Sequence, residues 1–265
     1  LSYAELQTSR YASQFSQTKQ SILRGFYPRP LVKSITPSDF YRDYISTYVE
    51  RDVRQIVNIG SLALFQKFLQ LVAGRVGQLL NLSSLANDVG VTYKTIASWL
   101  SVLQASYIVY LLQPYHKNFG KRVIKSPKVY FYDVGLLCHL LRITSEQELG
   151  THFAYGQIFE NFVLIEQLKK SNNQRKNEQI YFWRDSSGSE VDIILDLGDK
   201  TRAIEVKSAQ TFNTSMLTAL SRWRKLDPTR NTLTTLVYSG EAEQLVNDHE
   251  IKNWQSFCGS TPPTP

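Results

Sequence analysis

The amino-acid sequence predicts an α/β (α+β) protein: a helical part containing a helix-turn-helix, followed by a small mixed sheet flanked by helices. Three observations carry this prediction. Apolar residues recur at helical spacing through the first half of the chain. Between Leu82 and Ser106, two short helical patterns meet at a glycine and a threonine. After Gln179 the hydrophobic period shifts to that of strands, in IYFWR, EVDIILD and RAIEVKS.

Residues 1–58 read as helical with breaks at Gly25, Pro28 and Pro30. Pro37-Ser38-Asp39 then opens a helix in which Phe40, Tyr44, Ile45, Tyr48, Val49 and Val53 share one face. Residues 59–150 begin with a helix carrying Phe65, Phe68, Leu69 and Val72. In LSSLANDVGVTYKTIASWLSVLQAS, Ser83 or Ser84 can cap a short helix, Ala86 allows close packing and Gly90 permits the sharp turn. Thr92 can cap the next helix, whose apolar face holds Ile96, Leu100 and Leu103. Two strand-like runs, YIVYLLQPY and VYFY, follow around the basic loop HKNFGKRVIKSPK, which completes a winged helix. Residues 151–258 form the last domain, with a helix over Gln157–Lys170, three strands, a helix near Met216–Leu226 and the strand LTTLVYS. Residues 259–265 are a disordered tail by composition.

Hydrophobic residues make up 42% and charged residues 20% of the 265, as in an ordinary soluble globular protein. No apolar run approaches the roughly 20 residues of a membrane span, so no membrane partner is expected. The polar opening LSYAELQTSRYASQ is no signal peptide. Cys138 and Cys258 stand alone without CxxC spacing, which argues against a zinc knuckle and for a reducing cytoplasm. The chain starts at Leu1 and its one methionine is Met216, as expected of a processed form or a piece of something longer. Net charge is +7 with a pI near 9.3, which permits a nucleic-acid partner without requiring one.

The chemistry concentrates in SEVDIILDLGDKTRAIEVKS. With Gly198-Asp199 as a two-residue turn, Val191 faces Val206 and Ile193 faces Ile204 on a core side. Asp192 then faces Glu205, and Glu190 faces Lys207, on the other. Facing carboxylates with Cβ atoms about 4.5–5.5 Å apart repel, and a shared divalent cation, Mg²⁺ or Mn²⁺, would offset the repulsion. Lys207 could orient or help deprotonate an attacking water. Glu160 lies on the apolar stripe of Val163, Leu164 and Leu168, where an acid needs a partner, so it is a candidate third ligand. Glu166, beside Lys169 and Lys170, reads as a solvated surface residue. The plainer alternative is an exposed acidic sheet face on which Lys207 neutralises Glu205 or Glu190.

Lys117, Lys121, Arg122, Lys125 and Lys128 fall in one stretch with no acid, and such a wing could contact nucleic-acid phosphates. Thr92, Tyr93, Lys94, Thr95 and Ser98 form a thin set for base readout on the second helix. The alternative is that the winged helix joins domains and the basic loop docks on another part of a larger protein.

Phe182-Trp183-Arg184-Asp185, Gly188, Glu190-Val191-Asp192 and Ile204-Glu205-Val206-Lys207 together resemble the PD-(D/E)XK nuclease superfamily. The resemblance implies that Asp192 and Glu205 bind metal, that Lys207 assists the water and that Glu160 completes the set. More broadly, YISTYVERD, LNLSSLANDVGVTYKTI, KNFGKRVIKSPKVYFYDVGLL and FENFV resemble prokaryotic ATPases that pair an N-terminal AAA-type domain with a C-terminal domain of unknown function. The resemblance implies a winged helix joined to a nuclease-like domain, with residues 1–58 a remnant of the ATPase part and its linker. The missing ATPase domain is then a partner, and an oligomer is compatible with it. No GxxxxGK[ST] occurs, so no ATP is expected to bind these residues. The expected function is that of a nucleic-acid-binding, metal-dependent nuclease-like module, with DNA as the expected substrate. The alternative is a non-catalytic DNA- or protein-binding module on a degenerate nuclease fold.

Overall fold

A computed structural model describes residues 1–49, 61–115, 126–176, 178–226 and 231–259. It is a mixed α/β structure: a mixed sheet with flanking helices. The chain divides into two compact units. Unit 1 comprises Leu1, Ser9–Leu111 and Lys128–Phe162; unit 2 comprises Ser2–Thr8, Leu112–Pro127 and Val163–Pro265.

Unit 1 contains the predicted helix-turn-helix. The first helix, Leu82–Val89, is capped by Asn81, whose side chain accepts the Ser84 amide at 3.0 Å. The cap is therefore one residue ahead of the helix, and Ser83 and Ser84 lie inside it. Gly90 ends this helix at φ +91°, a conformation that costs glycine little. Thr92 caps the second helix, Tyr93–Ala105, as predicted by accepting the Thr95 amide. The preceding helix, Leu62–Ala73, buries Phe65, Phe68, Leu69 and Val72. Phe65 and Phe68 meet the Trp99 ring at 5.3 and 5.4 Å.

Strands β1 (Val109–Pro114) and β2 (Lys128–Phe131) follow. A two-bond clamp holds β2: Asn161 accepts the Phe131 amide at 2.7 Å and donates to its carbonyl at 2.8 Å, as a neighbouring peptide would. Asn161 is fully buried, and this pairing satisfies its amide. β1 is not confined to a wing. Its end pairs parallel with β3, Gln113 with Tyr181 and Pro114 with Phe182.

Asp133 ties the amino-terminal helices into unit 1. Its carboxylate accepts the Leu136 amide as a helix cap, the Phe26 amide at 2.7 Å and the Tyr41 hydroxyl at 2.6 Å. Gly25 and Gly135 crowd the same hydroxyl, where a Cβ on either would collide with Tyr41. Burial, reinforced by the Asp133 charge, pushes the Tyr41 phenol well above its usual pKa. The helix Pro37–Tyr44 passes into a π-helical turn over Ile45–Val49, and Val53 lies outside the described residues.

In unit 2 the strands run in the order β1-β3-β4-β5-β6-β8-β7. β3 is Gln179–Arg184, β4 Glu190–Asp196, β5 Lys200–Lys207, β6 Asn231–Tyr238, β7 Gln244–Val246 and β8 His249–Asn253. β3, β4 and β5 are antiparallel, while β5, β6 and β8 run parallel. The helix Thr218–Leu226 lays Leu220 and Trp223 on Val191, Ile194, Ala203 and Leu236. The helix Tyr155–Asn173 begins in unit 1 and ends in unit 2, with Ile158, Phe159, Phe162, Val163, Leu164 and Ile165 all buried.

Asp133→Ala leaves two backbone amides and a phenol without their buried acceptor. The expected outcome is a loss of roughly 3 kcal/mol in denaturant unfolding, against under about 1 kcal/mol for a solvated surface aspartate.

Candidate functional site

The β4–β5 hairpin folds in the expected register. Ile193 pairs with Ile204, Ile194 with Ala203 and Asp196 with Thr201. The turn closes where Leu197 N–H donates to the Lys200 carbonyl, and Gly198 sits at φ +88°.

Beyond Ile193 the ladder changes character. Between β3 and β4 the register slips by one, from Tyr181 opposite Ile194 to Trp183 opposite Val191. Asp192 and Ile193 therefore stand together across from Phe182, which is a β-bulge. Asp192 consequently leaves simple alternation. Its carboxylate Oδ2 turns into the seam between β4 and β5 and accepts the Val206 amide at 2.8 Å. An aspartate side chain fills the place of a ladder carbonyl, one residue along β5 from Glu205.

Two expectations are corrected here. Val191 joins the cluster of Ile194, Ala203 and Trp223 instead of sharing a face with Ile193, because the bulge reverses its side. The acidic side is no solvated face either: Asp192 is 8% and Glu205 6% exposed, and most residues of both strands are buried. A buried carboxylate needs compensation. Lys207 provides it for Glu205, with Nζ 2.6 Å from Oε1, while the Lys207 side chain remains 38% exposed. Glu190, expected opposite Lys207, pairs with Arg184 of β3 at 3.0 Å.

The structure thus brings Asp192, Glu205 and Lys207 together at the end of the sheet formed by the carboxyl ends of β3 and β5. Glu160 is placed in unit 1, where its carboxylate accepts the Tyr130 hydroxyl and pairs with Lys128 at 3.4 Å. Lys128 is 2% exposed, so its placement in a phosphate-contacting wing is corrected: it lies in β2 as a buried partner of Glu160. Lys94, Thr92, Tyr93 and Ser98 are exposed on the first turns of their helix, while Thr95 is half-buried. Lys117, Lys121, Arg122 and Lys125 lie outside the described residues. Glu166 is also corrected. It is buried, accepts the Tyr3 amide at 2.5 Å and pairs with Lys169 at 2.7 Å, so it anchors the amino-terminal helix Tyr3–Gln7 within unit 2.

Sequence reasoning missed Asp185 and Arg222. Asp185, immediately after β3, is buried, and its Oδ1 accepts the Ser187 hydroxyl and the Ser187 and Ser189 amides. Burial alone would raise its pKa. The hydrogen bonds from Ser187 and Ser189, with the Arg222 charge, outweigh burial and hold the carboxyl below its usual value. The signal for Asp185 was its place two residues before a serine and three before Gly188, a turn-forming run.

As donors, Asp192 and Glu205 suit a hard cation held by two carboxylates with the balance from water and phosphate oxygens. Among the described residues, no group of three or more His, Cys, Asp or Glu is close enough to hold a metal. A surface hollow at the opposite, turn end of the hairpin is lined by Lys176, Glu178, Asp196 and Lys200 and includes none of the three site residues. Burial pushes both cysteine thiols up, away from the reactive thiolate.

Two family models match the chain. Residues 16–147 match a domain of unknown function (DUF8612), and residues 155–257 match another (DUF4143). The chain is 32% identical over 199 residues to the uncharacterized protein Rv2008c of Mycobacterium tuberculosis and, equally, to the uncharacterized protein Mb2031c of Mycobacterium bovis. Those alignments cover 74% of this chain and 44% of each relative, so the chain spans less than half the length of the curated relatives it matches. No solved structure matches. Among the described residues no helix is long and apolar enough to cross a membrane.

Asp192→Asn retains an acceptor for the Val206 amide, whereas Asp192→Ala does not. Thermal or urea unfolding should find the Asn variant within about 1 kcal/mol of wild type and the Ala variant roughly 1–3 kcal/mol lower. Equal losses in both would show that the Val206 contact carries no stability.

Proposed function

We propose that unit 2 is a metal-dependent phosphodiester-hydrolysing module that acts on nucleic acid, DNA being the expected substrate. The supporting observation is the meeting of Asp192, Glu205 and Lys207 where the bulge turns Asp192 toward the residue beside Glu205. A bound Mg²⁺ or Mn²⁺ would polarise a phosphoryl oxygen and acidify a bound water. Asp192 and Glu205 would hold that ion. Lys207, half-exposed beside Glu205, would orient the attacking water and offset charge developing on the phosphate. The PD-(D/E)XK resemblance assigns the same roles to the same three residues. Glu160 is given no role, since its described partners are Lys128 and Tyr130.

In the same reading the chain is the C-terminal region of a prokaryotic AAA-type ATPase, with ATP bound in the part of such a protein that this sequence lacks. The exposed Lys94 turn of unit 1 and the basic stretch of sequence from Lys117 to Lys125 would add phosphate contacts. A second reading has one observation in its favour. Asp192 Oδ2 is already engaged by the Val206 amide, as expected if the carboxylate serves the fold of a non-catalytic binding module.

The two readings separate by thermal denaturation with and without Mn²⁺. Binding to the folded state raises the melting temperature, by the equivalent of about 2.7 kcal/mol at a hundred times the dissociation constant. The expected outcome is a rise for wild type and none for Asp192→Asn, together with Mn²⁺-dependent cleavage of a DNA or RNA substrate by wild type alone. An identical response from both proteins contradicts a metal site at Asp192.

A further inference from the structure

Arg222 stands on the helix Thr218–Leu226 between Leu220 on one side and Trp223 on the other, both buried against the sheet. That packing fixes the helix over Val191, Ile194 and Ala203, so the Arg222 backbone is rigidly placed. Its guanidinium reaches the loop that joins β3 to β4: Nη1 donates to the Ser189 hydroxyl, and Nη2 lies 3.3 Å from the Ser187 hydroxyl and 3.4 Å from Asp185 Oδ2. Ser189 directly precedes Glu190, the first residue of β4, and Asp192 is three residues on.

The strength of these contacts decides what Arg222 is for. A committed arginine–carboxylate pair closes to about 2.7–2.9 Å and is often bidentate. The Asp185 contact is longer and single, and the Arg222 side chain is 48% exposed. Such a half-exposed pair adds little to stability. Asp185 is meanwhile served at Oδ1 by three donors of its own loop, and does not depend on Arg222 to be satisfied. The guanidinium is held in place by two serine hydroxyls without being neutralised at close range.

Its surroundings supply the rest. Arg184 ends β3, Lys207 ends β5 and Arg222 hangs over the loop between β3 and β4, so three half-exposed cations share one end of the sheet with Asp192 and Glu205. Arg184 and Lys207 each have a close acidic partner, at 3.0 and 2.6 Å, and Arg222 has the loosest of the three pairings. We infer that Arg222 is a phosphate-binding residue that clamps the backbone of a nucleic-acid strand beside the carboxylate pair, with Ser187 and Ser189 holding its guanidinium in position. This rests on the nuclease reading of the same site and adds the group that positions the substrate.

The test is a salt titration of binding, because each phosphate contact contributes about 0.7–0.9 to the slope of log K against log salt. The Asp192→Asn protein, which cannot cleave in this account, serves as parent, with fluorescein-labelled single- and double-stranded DNA of about 20 nucleotides. Arg222→Gln in that parent should weaken binding about 3- to 10-fold and reduce the slope by about one contact, with an unchanged melting temperature. Arg222→Lys should keep the slope and bind about 3-fold more weakly, because lysine lacks the planar fork. A slope unaltered in Arg222→Gln, or Arg222→Lys equal to parent in affinity, overturns the clamp and leaves the nuclease reading intact. Absence of binding by the parent and by wild type to these DNAs and to a single-stranded RNA of the same length overturns both, and the Mn²⁺ melting response then shows whether a metal site survives on its own.

Discussion

The seam between β4 and β5 holds an aspartate where a backbone carbonyl would ordinarily sit. Because the bulge opposite Phe182 pushes Asp192 out of the ladder, the Val206 amide would lose its partner inside the sheet. The Asp192 carboxylate fills that gap, and in doing so comes to rest one residue from Glu205. Several neighbours are arranged around the same bulge. Val191 crosses to the Ile194 side, the helix carrying Trp223 settles on it, and Arg222 is delivered to the loop ahead of β4. In the proposed function, the carboxylate that completes the ladder is also one that would hold the ion.

Charge balance around that seam is local. Glu205 leans on Lys207, Glu190 on Arg184, and Asp185 on its own serine turn. Each acid is buried or half-buried and each cation keeps part of its side chain in water, an arrangement that lets a cation turn toward an incoming anion without stranding a bare charge inside the protein. Unit 1 uses acids differently. Asp133 gathers Phe26, Tyr41 and Leu136 in a fully enclosed network, and Glu160 pairs with the buried Lys128, so these carboxylates are fixed parts of the core.

Much of this was legible in the residues, and the rest was hidden for identifiable reasons. Gly90 and Thr92 announced the turn and cap of the helix-turn-helix, since each is the residue type its backbone position demands. The hairpin register followed from Gly198-Asp199 and the Ile193–Ile204 pair. The bulge was not legible, because a one-residue slip opposite Phe182 leaves the hydrophobic alternation of EVDIILD looking regular. β8 escaped for a different reason: its buried positions are His249, Ile251 and Asn253, so two polar residues sit where an apolar period was sought. His249 is held there by Thr234 and Ser221, partners remote in sequence. Lys128 and Glu166 were misread through the assumption that charged residues near basic runs face water.

Diffraction from crystals soaked in Mn²⁺, recorded where manganese scatters anomalously, tests the central claim most directly. The account predicts an anomalous peak bound by the carboxylates of Asp192 and Glu205 at oxygen–metal distances of about 2.1 Å, a manganese ion being close to magnesium in its demands. A map with manganese elsewhere and none at this pair, in crystals where Asp192 still holds the Val206 amide, would contradict it.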